Sequence, residues 1–452
     1  MTTAAERAAL AAATTVHLPS DLGYDDARTP WNLAVDQRPA AVAEPADAAE
    51  VAAVVRTARA AGLRVAPQST GHSAAALAAH GLDDVLLLRL HRLRGVEVDP
   101  VRRVARVLGG TPAIDVVEAA AAHGLAVLHG SAPDVGFVGL ALAGGLFLYG
   151  RKRGLTTNSV VAVELVTADG EIVRASATEH RDLFWAVRGG GGSFGVVTAL
   201  EVSLFPLPDV HAGLMIWDAS RARDVLRTWA RWAPDAPDEI TTTVRLLRVP
   251  PIPDVPDVLR GRDVVLLDGA VLDSDERAAE LLAPLRALEP ELDTFARVPA
   301  AAVARLHLDP EGPSPSVSAS GSLAALPEAA VDALLAAWDR EPGLLAAELR
   351  QLGGALGRVV EGAGALSHLP GQFLLFTVGI APSHDDAVRL RAQAEGLVTA
   401  MAPWLTGRQY LGFAESAVDA RVGYDADAWA LLSAVRAAAD PDRLFAANHP
   451  VR

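Results

Sequence analysis

Nine residues, Val65-Ala-Pro-Gln-Ser-Thr-Gly-His-Ser73, constrain this chain most, because of what leads into them. Pro45 opens a helical pattern that runs to Ala61, with apolar spacing from Val51 onward. Gly62 closes it, and Leu63-Arg64-Val65 begins a short strand. A strand that runs into Ser69-Thr70-Gly71 gathers small side chains and free backbone N–H groups, an arrangement that suits an anion such as a pyrophosphate. His72 follows at once. A lone loop histidine titrates and hydrogen-bonds wherever it sits, so its meaning depends on what the chain brings to it.

Before that loop, residues 1 to 20 read as a short helix and a turn, and Arg38 to Val42 as a short strand. After it, Val85 to Leu88 reads as a strand ending in Arg89. Val96 to Asp99 and Arg103 to Val107 alternate as a hairpin, and Ala113 to His123 is a helix that Gly124 ends. Gly130 to Gly154 is the most glycine-marked region. Glycines at 130, 136, 139, 144 and 145 let backbone approach a flat or phosphorylated ligand; the rival reading is an apolar helix hairpin packed in a core. Val160–Val166 and Glu171–Arg174 form a hairpin over an Asp169-Gly170 turn. A helix, Asp182 to Val187, leads to four consecutive glycines, 189 to 192, read as a flexible ligand-cradling loop before a β-branched strand.

At Pro206-Leu207-Pro208 the pattern changes. Strands at 240–247, 263–272, 345–351 and 372–380, with helices at 221–232, 276–288 and 329–338, suggest an antiparallel sheet backed by helices. A last helix, 426–438, precedes Asp440-Pro-Asp-Arg-Leu-Phe-Ala-Ala-Asn448-His-Pro450. In 452 residues with a formal charge of −15 no basic tract stands out, which argues against nucleic acid or an anionic membrane surface as partner. With no Cys, disulfides, thiolate metal sites and cysteinyl links are excluded, and no His pair has metal-site spacing. No apolar run reaches spanning length and no secretory pattern opens the chain, so a cytoplasmic location is expected.

Five collinear segments carry a resemblance: Pro67 to Ser73, Gly130 to Leu155, Glu164 to Gly170, Asp182 to Thr198, and the closing Asp-Pro-x-x-x-Phe-x-x-Asn-x-Pro. Together they resemble the berberine-bridge-enzyme-like oxidases of the vanillyl-alcohol-oxidase superfamily. The resemblance implies an α+β chain: a two-lobed PCMH-type FAD-binding domain over 1–208, a substrate domain over 209–405, and a segment, 406–452, that returns to the first domain. It implies FAD bound covalently through His72, with contacts from Gln68, Ser69, Thr70, Gly71, Ser73, Gly130, Ala132, Asp134, Val135, Gly136, Gly139, Gly144, Gly145, Gly195, Val197 and Asn448. Relatives with a second flavin link use a Cys where this chain has Ala132, so a single link is expected. No metal is expected.

The implied reaction is oxidation of an alcohol, sugar or natural-product intermediate by hydride transfer to flavin N5, with O2 as default acceptor. A dehydrogenase with another acceptor and a non-catalytic flavin-fold protein are the alternatives. Phe137 stands where the resemblance places a smaller residue near the oxygen-binding face, which favours the dehydrogenase. Tyr410 matches the active-site tyrosine of the resemblance, expected on a strand, with a core tyrosine as the other reading. Glu348 and Arg350 alternate on one strand and so share a face. They are either base and partner in the substrate cavity or a solvated surface pair. Asp134 is a further candidate base.

Overall fold

The computed structural model describes residues 10–253, 257 and 259–452. Residues 1–9 of the expected N-terminal helix lie outside the described residues, and residues 15–17 form a strand instead. Strands β1 (Thr15–His17), β2 (Ala41–Glu44), β3 (Arg64–Gln68) and β4 (Val85–Arg89) make a four-stranded sheet in the order β1-β2-β4-β3. β2 and β3 both run parallel to β4, and β1 is an antiparallel edge. Val85 to Leu88 are all buried, as expected of a central parallel strand covered on both faces. The helix Ala48–Ala60 lies against this sheet. Asp47 caps it by accepting from the Glu50 N–H, and Val51, Val54, Val55 and Ala58 form its buried stripe.

The second lobe is a five-stranded antiparallel sheet, β5 (Val96–Asp99), β6 (Val104–Leu108), β8 (Val160–Val166), β9 (Ile172–Ser176) and β10 (Val196–Ser203), ordered β5-β6-β10-β8-β9. A short pair, β7 (Leu125–Ala126) with β11 (Phe205–Pro206), ties off its end. The chain returns to the first sheet at its far end: the Val65 N–H donates to Leu444 and the Ala446 N–H to Val65, laying residues 444–446 beside β3.

The third unit is an eight-stranded antiparallel sheet. It is made of β12 (Asp209–Asp218), β13 (Ile240–Arg248), β14 (Asp263–Val271), β15 (Leu292–Asp293), β16 (Ala296–Pro299), β17 (Ser316–Leu323), β18 (Ala346–Gln351) and β19 (Phe373–Ile380). Strands β12 and β17 and the helix His384–Ala400 had no counterpart in the sequence reading. One face of the sheet packs Val244, Leu246, Leu267, Leu349 and Leu375 against the helices Ala222–Trp232 and Glu328–Arg340. Strand alternation turns Arg245, Asp268, Glu348 and Arg350 to the other face, which is also buried.

Three expectations change. The glycines 189–192 are not one extended loop: the helix that starts at Arg181 breaks at Arg188 and Gly189, and the chain turns through a short 3-10 segment, Gly191–Ser193, before β10. At Gly189 (φ +95°) a Cβ would lie 2.3 Å from Leu366 Cβ, so close backbone packing is what demands glycine there. Tyr410 is on no strand; it precedes the 3-10 turn Leu411–Phe413. Phe137 is fully buried in the second-lobe core, so its ring does not line a path to a ligand face.

Arg151, in the short helix Gly150–Arg153, fastens the second lobe to the third unit. It is 2% exposed, and its guanidinium donates to the carbonyls of Ile240 (2.9 Å), Leu352, Ala236 and Pro237. Each acceptor left bare costs about 1–3 kcal/mol. Arg151→Met is therefore expected to lower stability to urea by about 3 kcal/mol or more. Arg421→Ala, which breaks an exposed pair with Asp419, should leave the urea midpoint unchanged. Equal midpoints for the two variants would refute the role given to Arg151.

Candidate active site

Two groups of sequence-predicted residues are brought together. The first surrounds His72. Its ring is stacked on Trp31 (centroids 4.0 Å apart, planes at 15°), and its Nδ1 lies 2.8 Å from Thr70 Oγ1. Asp134 reaches in from the second lobe, with Oδ1 3.3 Å from His72 Nε2. Gly136 is held close: its N–H donates to Thr70 Oγ1, and a Cβ there would lie 2.4 Å from Ser69 Oγ. Gly71 has φ +88° and packs on Pro30.

The second group lies on the inner face of the large sheet. Glu348 and Arg350 are 4% and 5% exposed, so the pair is buried rather than solvated. Arg350 Nε donates to Glu348 Oε1 at 2.6 Å and Arg350 Nη2 to Ser131 Oγ at 3.2 Å, which joins the sheet to the Gly130–Gly136 loop. His307 completes the cluster, with Nε2 2.9 Å from Glu348 Oε2 and Nδ1 2.9 Å from Asp268 Oδ2. Asp268 in turn accepts from Arg245. The edge of Phe147 covers His307, and the Phe413 ring lies 4.8 Å from the Arg350 guanidinium.

Burial opposes ionisation of Glu348, but Arg350 and His307 overcome it and hold the carboxyl far below its usual range. His307 is raised above its ordinary value: burial and Arg245 pull it down, and Asp268, Asp309 and Glu348 outweigh them. With a carboxylate on each ring nitrogen, both nitrogens carry protons. Tyr410 lies under the Gly144–Gly145 backbone, its hydroxyl accepting from the Gly145 N–H at 2.8 Å. Burial pushes it up to about 12 against the pull of that N–H and of Arg350, so it stays a neutral phenol. Of the two, Glu348 is the group that is ionised near neutral pH.

Other expected contacts have structural partners. The Gln68 amide is exchanged with Gln37 and takes a further bond from Arg89. Gly195 fits against Leu165 and the Val166 carbonyl, and Val197 lies in the second-lobe core. Ser73 precedes the helix Ala74–Ala78, and Ala132 lies in the Asp134 loop, where Val135 bonds Ala113. The Asn448 carbonyl meets His80 Nε2. Tyr149 donates to the Ala300 carbonyl in the core. Sequence reasoning missed His307, Asp268, Arg245 and Trp31; each stands in an unmarked stretch, and nothing local distinguishes it.

The residues present fit a flavin dinucleotide. Ser69 Oγ, His72 Nε2, Asp134 Oδ1, Thr156 Oγ1 and Thr157 Oγ1 are buried without hydrogen-bond partners. Gly139, exposed on its short helix, and Gly191 would meet nothing with an added Cβ, which leaves open backbone where a flat ligand can approach. Among the described residues no group of three or more His, Asp or Glu is placed to hold a metal, and no helix is long and apolar enough to cross a membrane.

Comparison with known proteins points the same way. Residues 39–176 match the FAD binding domain family. The sequence is 39% identical over 203 residues to (R)-6-hydroxynicotine oxidase of Paenarthrobacter nicotinovorans, covering 45% of this chain and 44% of that protein. It is 36% identical over 195 residues to glucooligosaccharide oxidase of Sarocladium strictum, covering 43% and 39%. The matched stretches thus span less than half of these relatives. Over the whole fold, 6-hydroxy-D-nicotine oxidase from Arthrobacter nicotinovorans superposes with a TM-score of 0.83 at 26% identity, covering 97% of this chain and 98% of that one. A berberine-bridge-enzyme-like protein of Physcomitrella patens gives 0.87 at 22% identity, covering 99% of each. Residues 39–176 thus carry an FAD binding domain, and the chain as a whole has the fold of the nicotine oxidase and of the berberine-bridge-enzyme-like protein.

Two outcomes follow. Gly139→Leu should yield folded protein with a severalfold lower ratio of flavin to protein absorbance; an unchanged ratio would remove Gly139 from the cofactor surface. The raised His307 contributes stability that is complete below its unfolded value near pH 6.5 and is lost as pH rises through the folded one. Wild-type melting temperature should therefore fall more steeply above pH 6.5 than that of His307→Gln. Parallel profiles would contradict a protonated His307 between Asp268 and Glu348.

Proposed function

We propose that this protein is an FAD-dependent oxidoreductase that oxidises an alcohol, sugar or natural-product intermediate, with FAD held by one bond to His72 and O2 as its default acceptor. The carrying observation is Glu348, buried yet held ionised between Arg350 and His307, on the sheet face joined through Ser131 to the glycine-marked loop. Flavin, when bound, supplies hydride acceptance at N5; the protein contributes orientation and proton handling. Glu348 takes the substrate hydroxyl proton, for which an ionised carboxylate is required. Arg350 and His307 keep that carboxylate aimed and ionised, and Arg350 Nη1, buried without a partner, is available to a substrate oxygen. Neutral Tyr410 orients by hydrogen bonding. The Phe147 and Phe413 rings exclude water from the same face.

This reading is supported by the oxidase relatives, among them proteins named for a hydroxylated nicotine and for an oligosaccharide. The bulk of Phe137 no longer favours the dehydrogenase alternative, because that ring is packed into the core. A buried charge cluster costs stability, which weighs against a chain that has lost catalysis.

The test is spectroscopic. Purified protein should be yellow, and the colour should stay in the pellet after acid precipitation. Anaerobic addition of members of a panel of aldoses, oligosaccharides, primary alcohols and hydroxylated amines should bleach the visible band, and air should restore it with release of H2O2. Colourless protein that takes up no added FAD would refute the proposal. Glu348→Gln should keep its flavin and bleach roughly a hundredfold more slowly; bleaching at the wild-type rate would remove Glu348 as the base.

A further inference from the structure

Three units of the fold converge on one carboxylate. Asp134 belongs to the Gly130–Gly136 loop of the second lobe. Its Oδ2 accepts from the Trp31 indole N–H at 2.6 Å, on the segment leading to β2, and from the Gly312 N–H at 2.8 Å, on the segment leading to β17. Its Oδ1 faces His72 Nε2 at 3.3 Å, and both of these buried atoms are without a hydrogen-bond partner. Trp31 is itself fixed, its N–H donating to the Thr70 carbonyl and its carbonyl accepting from Ser314.

The opposite edge of the imidazole settles its tautomer. Thr70 Oγ1 lies 2.8 Å from His72 Nδ1 and also accepts the Gly136 N–H at 3.3 Å. The threonine proton is therefore free to point at Nδ1, which then carries the lone pair, while the ring N–H is on Nε2, toward Asp134. Burial alone would raise the Asp134 carboxyl, but His72, the Gly312 N–H and the Trp31 indole hold it below its usual range.

We propose that Asp134, braced by Trp31 and Gly312, is the positioning residue for flavin attachment: it orients His72 and holds the ring N–H on Nε2, so that Nδ1 acts as the nucleophile. The inference rests on the reading above that FAD is linked through His72. In the step, Nδ1 forms a bond to the flavin 8α carbon. That carbon would release one proton, and the alkylated ring, stabilised as an imidazolium by Asp134, would release its Nε2 proton to solvent, which leaves a neutral alkylated imidazole. The electron pair of the broken C–H bond passes to the isoalloxazine system, and dioxygen removes it together with two protons as H2O2. A carboxylate behind an imidazole is the arrangement that fixes tautomer and raises basicity at the far nitrogen in hydrolytic triads. Here the nucleophile is the imidazole itself. Trp31, flat on the ring, prevents the rotation that would turn Nδ1 away.

The experiment uses full-length protein carrying its FAD: wild type, His72→Ala, Asp134→Asn and Trp31→Phe. Total flavin is read from the visible band, and acid precipitation divides it into attached and released fractions over time after expression. Wild type is expected to precipitate yellow and His72→Ala to release all its flavin. Asp134→Asn should bind FAD but attach it roughly a hundredfold more slowly. Trp31→Phe, which keeps the stacked ring and loses the indole N–H, should fall between. Full attachment in Asp134→Asn would overturn the proposal while leaving the His72 link intact. Should Asp134→Asn not fold, full-rate attachment in Trp31→Phe would overturn it instead. Release of all flavin from wild type would refute the His72 link, and the proposal with it.

Discussion

Charge compensation inside the molecule is the constraint on which this architecture depends. The inner face of the eight-stranded sheet carries Arg245, Asp268, Glu348 and Arg350, and it can be covered only because these side chains satisfy one another through His307. Two carboxylates and two guanidiniums taken out of water individually would cost several kcal/mol each. Joined by an imidazolium that donates at both ends, they present a fixed electrostatic surface. Removing His307 would leave two buried carboxylates facing each other's field, each with one donor fewer.

The same principle recurs where the units meet. Arg151 and Arg188 are buried among backbone carbonyls rather than carboxylates. Arginine suits this because its planar fork carries five donors and stays charged when desolvated. Burial lowers Arg188 to about 10, still well above neutral pH. The acceptors are backbone carbonyls of a strand (Ile240), a helix (Phe184) and loops (Ala236, Pro237, Leu352, Gly362), so the seams between units are closed by side chain to backbone bonds as well as by apolar contact.

The glycines divide into two kinds that the sequence presents alike. Gly145, Gly136 and Gly189 sit where a Cβ would strike a neighbour: Thr156, Ser69 and Leu366 respectively. Their role is close packing of one loop on another. Gly139 faces open space, and for it the absent side chain keeps a surface clear; Gly191 also meets nothing, but its φ of +71° already calls for glycine. Spacing alone does not separate the two, because steric demand comes from a partner segment far along the chain.

Much was legible from local pattern. The helix Ala48–Ala60, the strand before the His72 loop, the hairpin at Asp169-Gly170 and the alternation that puts Glu348 and Arg350 on one face all follow from periodicity and turn chemistry read within a dozen residues. The five collinear motifs supplied the fold class and the cofactor. The partners of those residues were not legible. His307 lies 41 residues from Glu348 and Trp31 lies 103 from Asp134, and neither stretch carries a mark that distinguishes it from ordinary core or loop. Alternation showed that Glu348 and Arg350 share a face; only the packing of the FAD-binding lobes over that face decided that it is dry. Likewise the sequence set Phe137 at the start of a glycine-marked helix, and the helix's rotation turned the ring into the core. Local sequence determines which backbone forms and which side chains share a face, because those depend on dihedral preference and period. Which faces meet, and so which carboxylate is buried and paired, depends on contacts between segments far apart in the chain, which only the tertiary structure brings together.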